Sequence, residues 1–125
     1  MGLVLDTGAL IAFERGDRHV AALVEATRRR KDRVATSSGC VAQAWRDGTR
    51  QALLARLLAG TAEHPLHPGD SRAVGALCAT SATADVVDAH LALLAYDHDS
   101  VVTSDPDDLR VLLRATKCAA RTLRC

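Results

Sequence analysis

The sequence predicts an α/β domain of three layers, in which a mostly parallel sheet of roughly four to five strands lies between two layers of helices. Two observations predict this class. Short apolar runs alternate with stretches of helical periodicity along the chain. The runs are also continuously apolar, which is typical of strands buried on both faces. The chain has 125 residues, enough to bury its own core, and no repeat or linker divides it. Residues 1–125 are therefore predicted to form a single domain, without internal boundaries.

Each predicted element follows from a local pattern. The apolar run at residues 2–5 gives the first strand. Asp6 or Thr7 then caps a helix, which Gly16 ends. The other predicted elements are a helix from Asp17 to the basic run at 28–33, a strand at 34–36, helices at 40–48 and 49–60, an edge strand at 62–67, helices near 69–79 and at 84–95, a strand at 100–103, a short helix after Pro106 and a strand near 119–123. The strand at 62–67 is placed at the edge because Pro65 cannot donate to a ladder.

Composition and charge exclude several classes of protein. Hydrophobic residues make up 48% of the chain and the formal net charge is +1, so disorder is not expected. That charge argues against a protein that coats DNA through many phosphate contacts, but it leaves room for a nuclease. The four cysteines form no C-x-x-C pair, which predicts reduced thiols and a cytoplasmic protein. No signal peptide or membrane-spanning run is evident.

The letters "DTG" at residues 6–8 would mark a catalytic loop in an aspartic protease. Such an enzyme brings two Asp-Thr-Gly loops together on β-rich lobes, and this chain has one such loop in a helix-rich α/β pattern. The strand and helix pattern therefore excludes the protease, and Asp6 needs another explanation.

Acidic residues stand where predicted strands end. Asp6 follows the first strand and Asp105 follows the strand at 100–103, while Asp85 and Asp88 begin a helix and share one of its faces. Ligands of a parallel α/β sheet bind in the crevice beyond the carboxyl ends of the strands. Carboxylates gathered there repel one another unless a cation joins them. This arrangement predicts a site for a hard divalent cation, Mg²⁺ or Mn²⁺.

The same acids also fit a purely structural role. Asp105 precedes Pro106 and has Asp108 three residues later, which is the pattern of a helix cap, and Asp85 with Asp88 repeats it. The two interpretations are compatible, because a capping carboxylate keeps one oxygen for a metal.

Two other classes of small α/β protein carry acids at strand ends. A receiver-like phosphoacceptor domain has paired acids after the first strand and a lysine near the last one, whereas Asp6 is single and Lys117 follows no convincing strand. A haloacid-dehalogenase-like phosphatase has an acid two positions after the first, where this chain has Gly8. The sequence disfavours both.

Four segments, "LVLDTGALIA", "VAQAWR", "DAHLALLA" and "VVTSDPDDL", resemble in order and spacing the signature blocks of PIN-domain proteins. The resemblance is strongest to the VapC-type toxins of bacterial toxin–antitoxin (VapBC) pairs, which are Mg²⁺-dependent ribonucleases. It implies that Asp6, Asp88 and Asp105 bind metal, with Asp85 as an additional acid. It also implies that Thr7 and Thr103 orient these acids.

The second block departs from the family pattern. The family has a Glu on the helix after the second strand, and Gln43 is the matching residue here. A Gln can coordinate through its carbonyl oxygen, but it brings no charge and cannot act as a base. Asp85 could substitute for the missing charge, and Asp47 is a poorer substitute. Two functions therefore remain open: an RNA-cleaving toxin, or a degenerate PIN-like protein that binds RNA or protein with little or no cleavage.

Arginines are the predicted contacts to RNA. Arg46 and Arg50 lie three and seven residues after Gln43, which would place them on the same face of a helix. Arg15, just after the first helix, is a further candidate. The resemblance also implies two protein partners, a VapB-like antitoxin that covers the acidic crevice and a second copy of the chain. No membrane partner is predicted, because no apolar run is long enough to span a bilayer.

Overall fold

Five strands form one sheet in the structure, a computed structural model that describes residues 1–125. The strands are β1 (Leu3–Leu5), β2 (Val34–Ser37), β3 (Ala62–His64), β4 (Ser100–Thr103) and β5 (Arg121–Arg124). Their spatial order is β3-β2-β1-β4-β5, and every neighbouring pair is parallel. The predicted α/β class with a central parallel sheet is confirmed.

Seven helices cover the sheet. They are α1 (Thr7–Glu14), α2 (Arg18–Arg29), α3 (Ser38–Ala44), α4 (Ala52–Ala59), α5 (Pro68–Thr80), α6 (Val86–Leu94) and α7 (Pro106–Ala115). Helix α1 packs against α2, α3 and α4, whereas α6 packs against α5 and α7. The helices therefore form two groups, as the three-layer arrangement requires. No helix combines the length and the apolar character needed to cross a membrane.

A single hydrophobic core of 24 buried residues holds the layers together. All residues of β1 and β4 are buried, as the continuous apolar runs of these strands predicted. Leu10, Leu91 and Leu109 on α1, α6 and α7 are completely buried. Burying each such side chain contributes about 1.5–3 kcal/mol, so the core anchors the helices that carry the candidate site.

The strand order reverses between β1 and β4. From β1 the chain proceeds to β2 and β3 on one side, and β4 and β5 lie on the other side. Residues Leu3, Val4 and Leu5 pair with Ser100, Val101 and Val102. Because a crevice opens where the order reverses, beyond the carboxyl ends of the two strands, the residues that follow β1 and β4 share it. The two strands are neighbours, which is the arrangement that brings Asp6 and Asp105 to one crevice.

Helix α3 is displaced from its predicted position at 40–48. It begins at Ser38, because the Ser37 hydroxyl accepts a hydrogen bond from the Cys40 N–H and caps it. It ends at Ala44, because the N–H groups of Arg46 and Asp47 donate to the Gln51 side chain instead of to helix carbonyls. Arg46 and Arg50 therefore do not share a helical face with Gln43, and that prediction is wrong.

Two further element boundaries differ from the prediction. The helix expected at 49–60 begins only at Ala52, since the Asp47 carboxylate accepts hydrogen bonds from the N–H and hydroxyl of Thr49 and closes a turn there. The edge strand expected at 62–67 ends at His64, one residue before Pro65. Its edge position is as predicted.

Candidate functional site

Asp6 joins the ends of β1 and β4. Its Oδ1 accepts a hydrogen bond from the Ala9 N–H at 2.8 Å and caps α1, and its Oδ2 accepts from the Ser104 N–H at 3.3 Å. The residue is only 5% exposed. Burial raises the pKa of Asp6, although hydrogen bonds from the Thr103 hydroxyl and from these N–H groups oppose the rise. Asp6 is thus both a helix cap and a buried acid in the crevice.

The loops that follow β1 and β4 touch each other. The Thr103 hydroxyl hydrogen-bonds Asp6 and accepts from the Asp105 N–H at 2.9 Å, so it lies between the two acids. A Cβ on Gly8 would lie 2.7 Å from the Cβ of Ser104, which is too close for any side chain. Gly8 therefore permits the close approach of the two loops that carry the acids.

Asp105 lies directly before α7, but its side chain does not cap the helix. Its side chain accepts no N–H from the helix, so the structural explanation of Asp105 as a cap is wrong. The carboxylate is exposed and lies beside Asp108. The hydrogen bond shared with Asp105 and the charge of Asp105 raise the pKa of Asp108. Asp108 was not predicted as a site residue, although its spacing from Asp105 could have suggested it.

Asp85 and Asp88 open α6 at the same crevice. The Asp85 carboxylate accepts from the Asp88 N–H at 3.0 Å, so Asp85 does act as a cap. Asp88 is half-buried, and burial together with the charges of Asp85, Asp6 and Asp105 raises its pKa to about 7. The structure therefore brings the four acids predicted from the sequence close enough to disfavour one another's charges.

We call Asp6, Asp85, Asp88, Asp105 and Asp108 the acidic cluster. None of its members makes an ion pair, because the ion pairs of the chain all lie elsewhere. Carboxylates without a neighbouring cation are costly to keep charged. The acidic cluster consequently has a deficit of positive charge that the protein itself does not supply.

The acidic cluster does not form a closed cage for a metal ion. No three His, Cys, Asp or Glu side chains are arranged so that they could hold a metal ion among them. Its donors are exclusively carboxylate oxygens, which suit Mg²⁺ and Mn²⁺. Mg²⁺ keeps several waters and is commonly bound by one or two carboxylates together with substrate phosphates. An ion of this kind needs fewer protein ligands than a cage provides.

Gln43 lies on α3 beside the acidic cluster. Its Oε1 accepts a hydrogen bond from the Thr7 hydroxyl at 2.5 Å, and the side chain is exposed. Thr7 therefore orients Gln43 and not an acid, which corrects the role predicted for Thr7. Gln43 contributes no charge to the site, and its carbonyl oxygen already has a partner.

Arg15, Arg46 and Arg50 line one groove of about 590 Å³, together with Gln43 and Gln51. We call it the arginine groove. The three predicted arginines are brought together, but by the irregular segment 45–51 and not by helical spacing. Gln51 is buried and was not predicted, because a single Gln before a helix carries no recognisable pattern.

A smaller cavity of about 310 Å³ opens beside Asp88 and Asp108. Apolar side chains of Val111 and Leu112 and the polar residues Ser81 and Thr83 line it. This cavity therefore reaches two of the acids, Asp88 and Asp108.

No protein-family model matches the chain, and no curated protein is significantly similar to it in sequence. The fold and the acidic cluster define an α/β protein with a carboxylate-lined crevice where the strand order reverses. The likeness to PIN-domain proteins depends on the four short segments and stays a prediction.

Proposed function

We propose that this chain is a Mg²⁺- or Mn²⁺-dependent endoribonuclease of the PIN-domain type and the toxin of a VapBC-like pair. One observation carries the proposal: four acids from three segments lie at the switch point of the sheet, and no protein cation neutralises them. The four sequence segments that resemble PIN-domain proteins support the choice of RNA as substrate.

The surroundings of each acid suggest a different role for it in binding a metal ion. Asp6 has a fixed position, because two N–H groups and the Thr103 hydroxyl hold its carboxylate. Asp105 accepts no N–H from its helix and shares a hydrogen bond only with Asp108, so its carboxylate keeps lone pairs for a ligand. Burial and the neighbouring acids raise the pKa of Asp88 to about 7, so a cation bound beside it would favour the charged form of its carboxylate.

These residues would hold one or two divalent ions, with Asp85 as an additional ligand or outer partner. A bound ion would acidify a water for attack on the phosphodiester and neutralise the charge that builds on the phosphate. The crevice presents no Lys or Arg in an ion pair with these acids, so this positive charge has to come from outside the chain.

The remaining partners follow from the resemblance. A small VapB-like antitoxin would cover the acidic crevice, and a second copy of the chain would form a homodimer. All four cysteines are free, which agrees with the proposed cytoplasmic location. An upstream reading frame for a short antitoxin would support the pairing.

The first prediction concerns metal dependence. Wild-type protein with Mg²⁺ or Mn²⁺ is expected to cleave a structured RNA, to lose this activity in excess EDTA and to regain it on addition of Mn²⁺. Mn²⁺ alone is also expected to raise the melting temperature, because a ligand that binds only the folded state stabilises it. Cleavage that persists in EDTA would contradict the mechanism.

The second candidate function, a degenerate PIN-like protein, is favoured by Gln43. Gln43→Glu is expected to tighten Mn²⁺ binding and to raise the cleavage rate by about tenfold, because changes beside a metal site typically alter affinity or activity by about 10–100-fold. Gln43→Met, similar in size and uncharged, is the control and is expected to give no gain. Cleavage by the Gln43→Glu variant alone, with an inert wild type, would favour the degenerate function.

A further inference from the structure

The arginine groove runs along the C-terminal half of α1 and past the end of α3. Gln43 lines the groove and hydrogen-bonds Thr7, the residue next to Asp6, so the groove and the crevice meet there. Helix α1 has eight residues and spans about 12 Å. Arg15 follows the C-terminal end of this helix and therefore lies roughly that distance from Asp6, which caps the N-terminal end. The arginine groove is thus within reach of a chain that is bound at Asp6.

The positive charges of the groove are mostly free. Arg15 and Arg46 make no ion pair, and Arg50 has only a loose one, with its Nε 3.8 Å from Asp47. Arg46 uses Nη1 to donate to the Ala42 and Trp45 carbonyls. Its Nε and Nη2 thus keep their hydrogens for another acceptor. Guanidinium groups in this state suit phosphate oxygens.

The two carboxylates that line the groove have other partners. Asp47 accepts hydrogen bonds from the N–H and hydroxyl of Thr49. Glu14 accepts from Nε2 of Gln51 at 3.0 Å. The two carboxylates keep their charges, but they are outnumbered by the three arginines, so the lining of the groove has a net positive charge.

Gln51 forms hydrogen bonds with several of the segments that line the arginine groove. It is 6% exposed, and its Oε1 accepts from the N–H groups of Arg46 at 2.7 Å and Asp47 at 2.9 Å. Its Nε2 donates to Glu14 on α1 and to the carbonyl of Ala44 at the end of α3. One buried amide therefore connects α1, the end of α3 and the irregular segment that carries two arginines.

We propose that the arginine groove binds the RNA backbone beside the scissile phosphate, and that Gln51 is the positioning residue that holds Arg46 and Arg50 in place. The inference rests on the proposed ribonuclease function and deepens it. It assigns the substrate contact to a surface separate from the acidic cluster and to a residue that touches no substrate itself.

The test measures binding of a labelled RNA hairpin with a single-stranded loop, in EDTA so that no cleavage occurs, over a range of salt concentrations. Each phosphate contact adds about 0.7–0.9 to the slope of log affinity against log salt. Arg46→Ala and Arg50→Ala are each expected to lower the slope by about that amount. Arg29→Ala, which removes the same charge from an exposed site on α2, is the control. Equal losses in the control and the groove variants would overturn the inference.

Gln51→Leu is expected to lower the salt slope and to raise KM in Mg²⁺ by about tenfold, with kcat little changed. In a background of Arg46→Ala and Arg50→Ala, the same substitution is expected to cause no further loss, because coupled residues are not additive. A purely structural effect would instead add to the arginine losses and would lower kcat with the melting temperature, and this result would overturn the positioning role. RNA binding that depends on the arginines, without any cleavage, would contradict the proposed nuclease function but would support RNA binding by the arginine groove. Metal-dependent cleavage with an unchanged salt slope in the arginine variants, or no RNA binding at all, would contradict RNA binding by the groove.

Discussion

Asp105→Asn is expected to lower the metal-dependent rate of RNA cleavage by at least about a hundredfold and to leave the fold intact. Charge stabilisation by a bound metal is worth several kcal/mol, and each 1.36 kcal/mol is a factor of ten in rate. Removing one ligand charge forfeits part of that stabilisation. The fold is spared because the Asp105 side chain caps nothing and is exposed.

A matched control lies two residues away. Asp107 is on the same turn of α7, is exposed and forms a surface ion pair with Arg110 at 2.7 Å. Such pairs contribute little to stability. Asp107→Asn therefore removes the same charge from the same helix end outside the acidic cluster, and its cleavage rate is expected to match the wild type. Equal losses in the two variants would show a general charge effect and would contradict the role of Asp105.

Asp105 gives a cleaner test than Asp6. Asp6→Asn would weaken the cap of α1 and the link to Ser104 as well as the metal site, since loss of a cap costs about 0.5–2 kcal/mol. A fall in cleavage by that variant would have two causes, a weaker metal site and a less stable fold. The loss of activity in Asp105→Asn has only the first cause, and unfolding curves of both variants distinguish the two.

The acids could be found from the sequence because their positions depend on local patterns. A continuous apolar run followed by Asp marks the carboxyl end of a buried strand, and this held for Asp6 and Asp105. In a parallel sheet such ends gather at one edge. The only non-local requirement was that β1 and β4 be neighbours, and the connection of the remaining elements satisfies it.

The surroundings of the acids could not be found in the same way. Helix α3 ends at Ala44 because of hydrogen bonds to Gln51, a residue seven positions away with no recognisable pattern. The bond from Thr7 to Gln43 depends on how α1 and α3 pack. The spacing of Arg46 and Arg50 from Gln43 predicted that all three share one helical face. The two arginines do line one groove. They do so through the irregular segment 45–51 and not through a shared helical face.

The second prediction with a large expected effect concerns the stability of the protein and a residue at the opposite end of the sheet, Asp99. Asp99 precedes β4, and its carboxylate accepts from the N–H of Gly2 at 2.9 Å, from the N–H of Tyr96 at 2.9 Å and from Nη2 of Arg33 at 2.7 Å. The side chain of Asp99 is 5% exposed and that of Arg33 is 27% exposed. Arg33 also donates to the carbonyl of Leu94 and stacks 4.4 Å from the centre of the Tyr96 ring.

Asp99→Ala is expected to lower the free energy of unfolding by about 3–5 kcal/mol, the usual cost of removing one partner of a buried ion pair. The loss is large because the Arg33 charge and the N–H groups of Gly2 and Tyr96 are left without their acceptor. Glu25→Ala, which breaks an exposed ion pair with Arg29, is the control and is expected to change stability little. Urea unfolding at neutral pH measures both.

The same pair predicts how stability depends on pH. Burial opposes ionisation of Asp99, but the hydrogen bonds from Tyr96 and Arg33 and the Arg33 charge outweigh it and lower the pKa. Because the folded protein holds this proton less tightly than the unfolded chain, the stabilisation by Asp99 is complete well above about pH 4 and is lost as the pH falls further. The difference between wild type and Asp99→Ala is therefore expected to be constant from pH 7 to pH 5 and to shrink below pH 4. A difference that stays constant down to pH 3 would show that packing around Asp99, and not its charge, stabilises this end of the sheet.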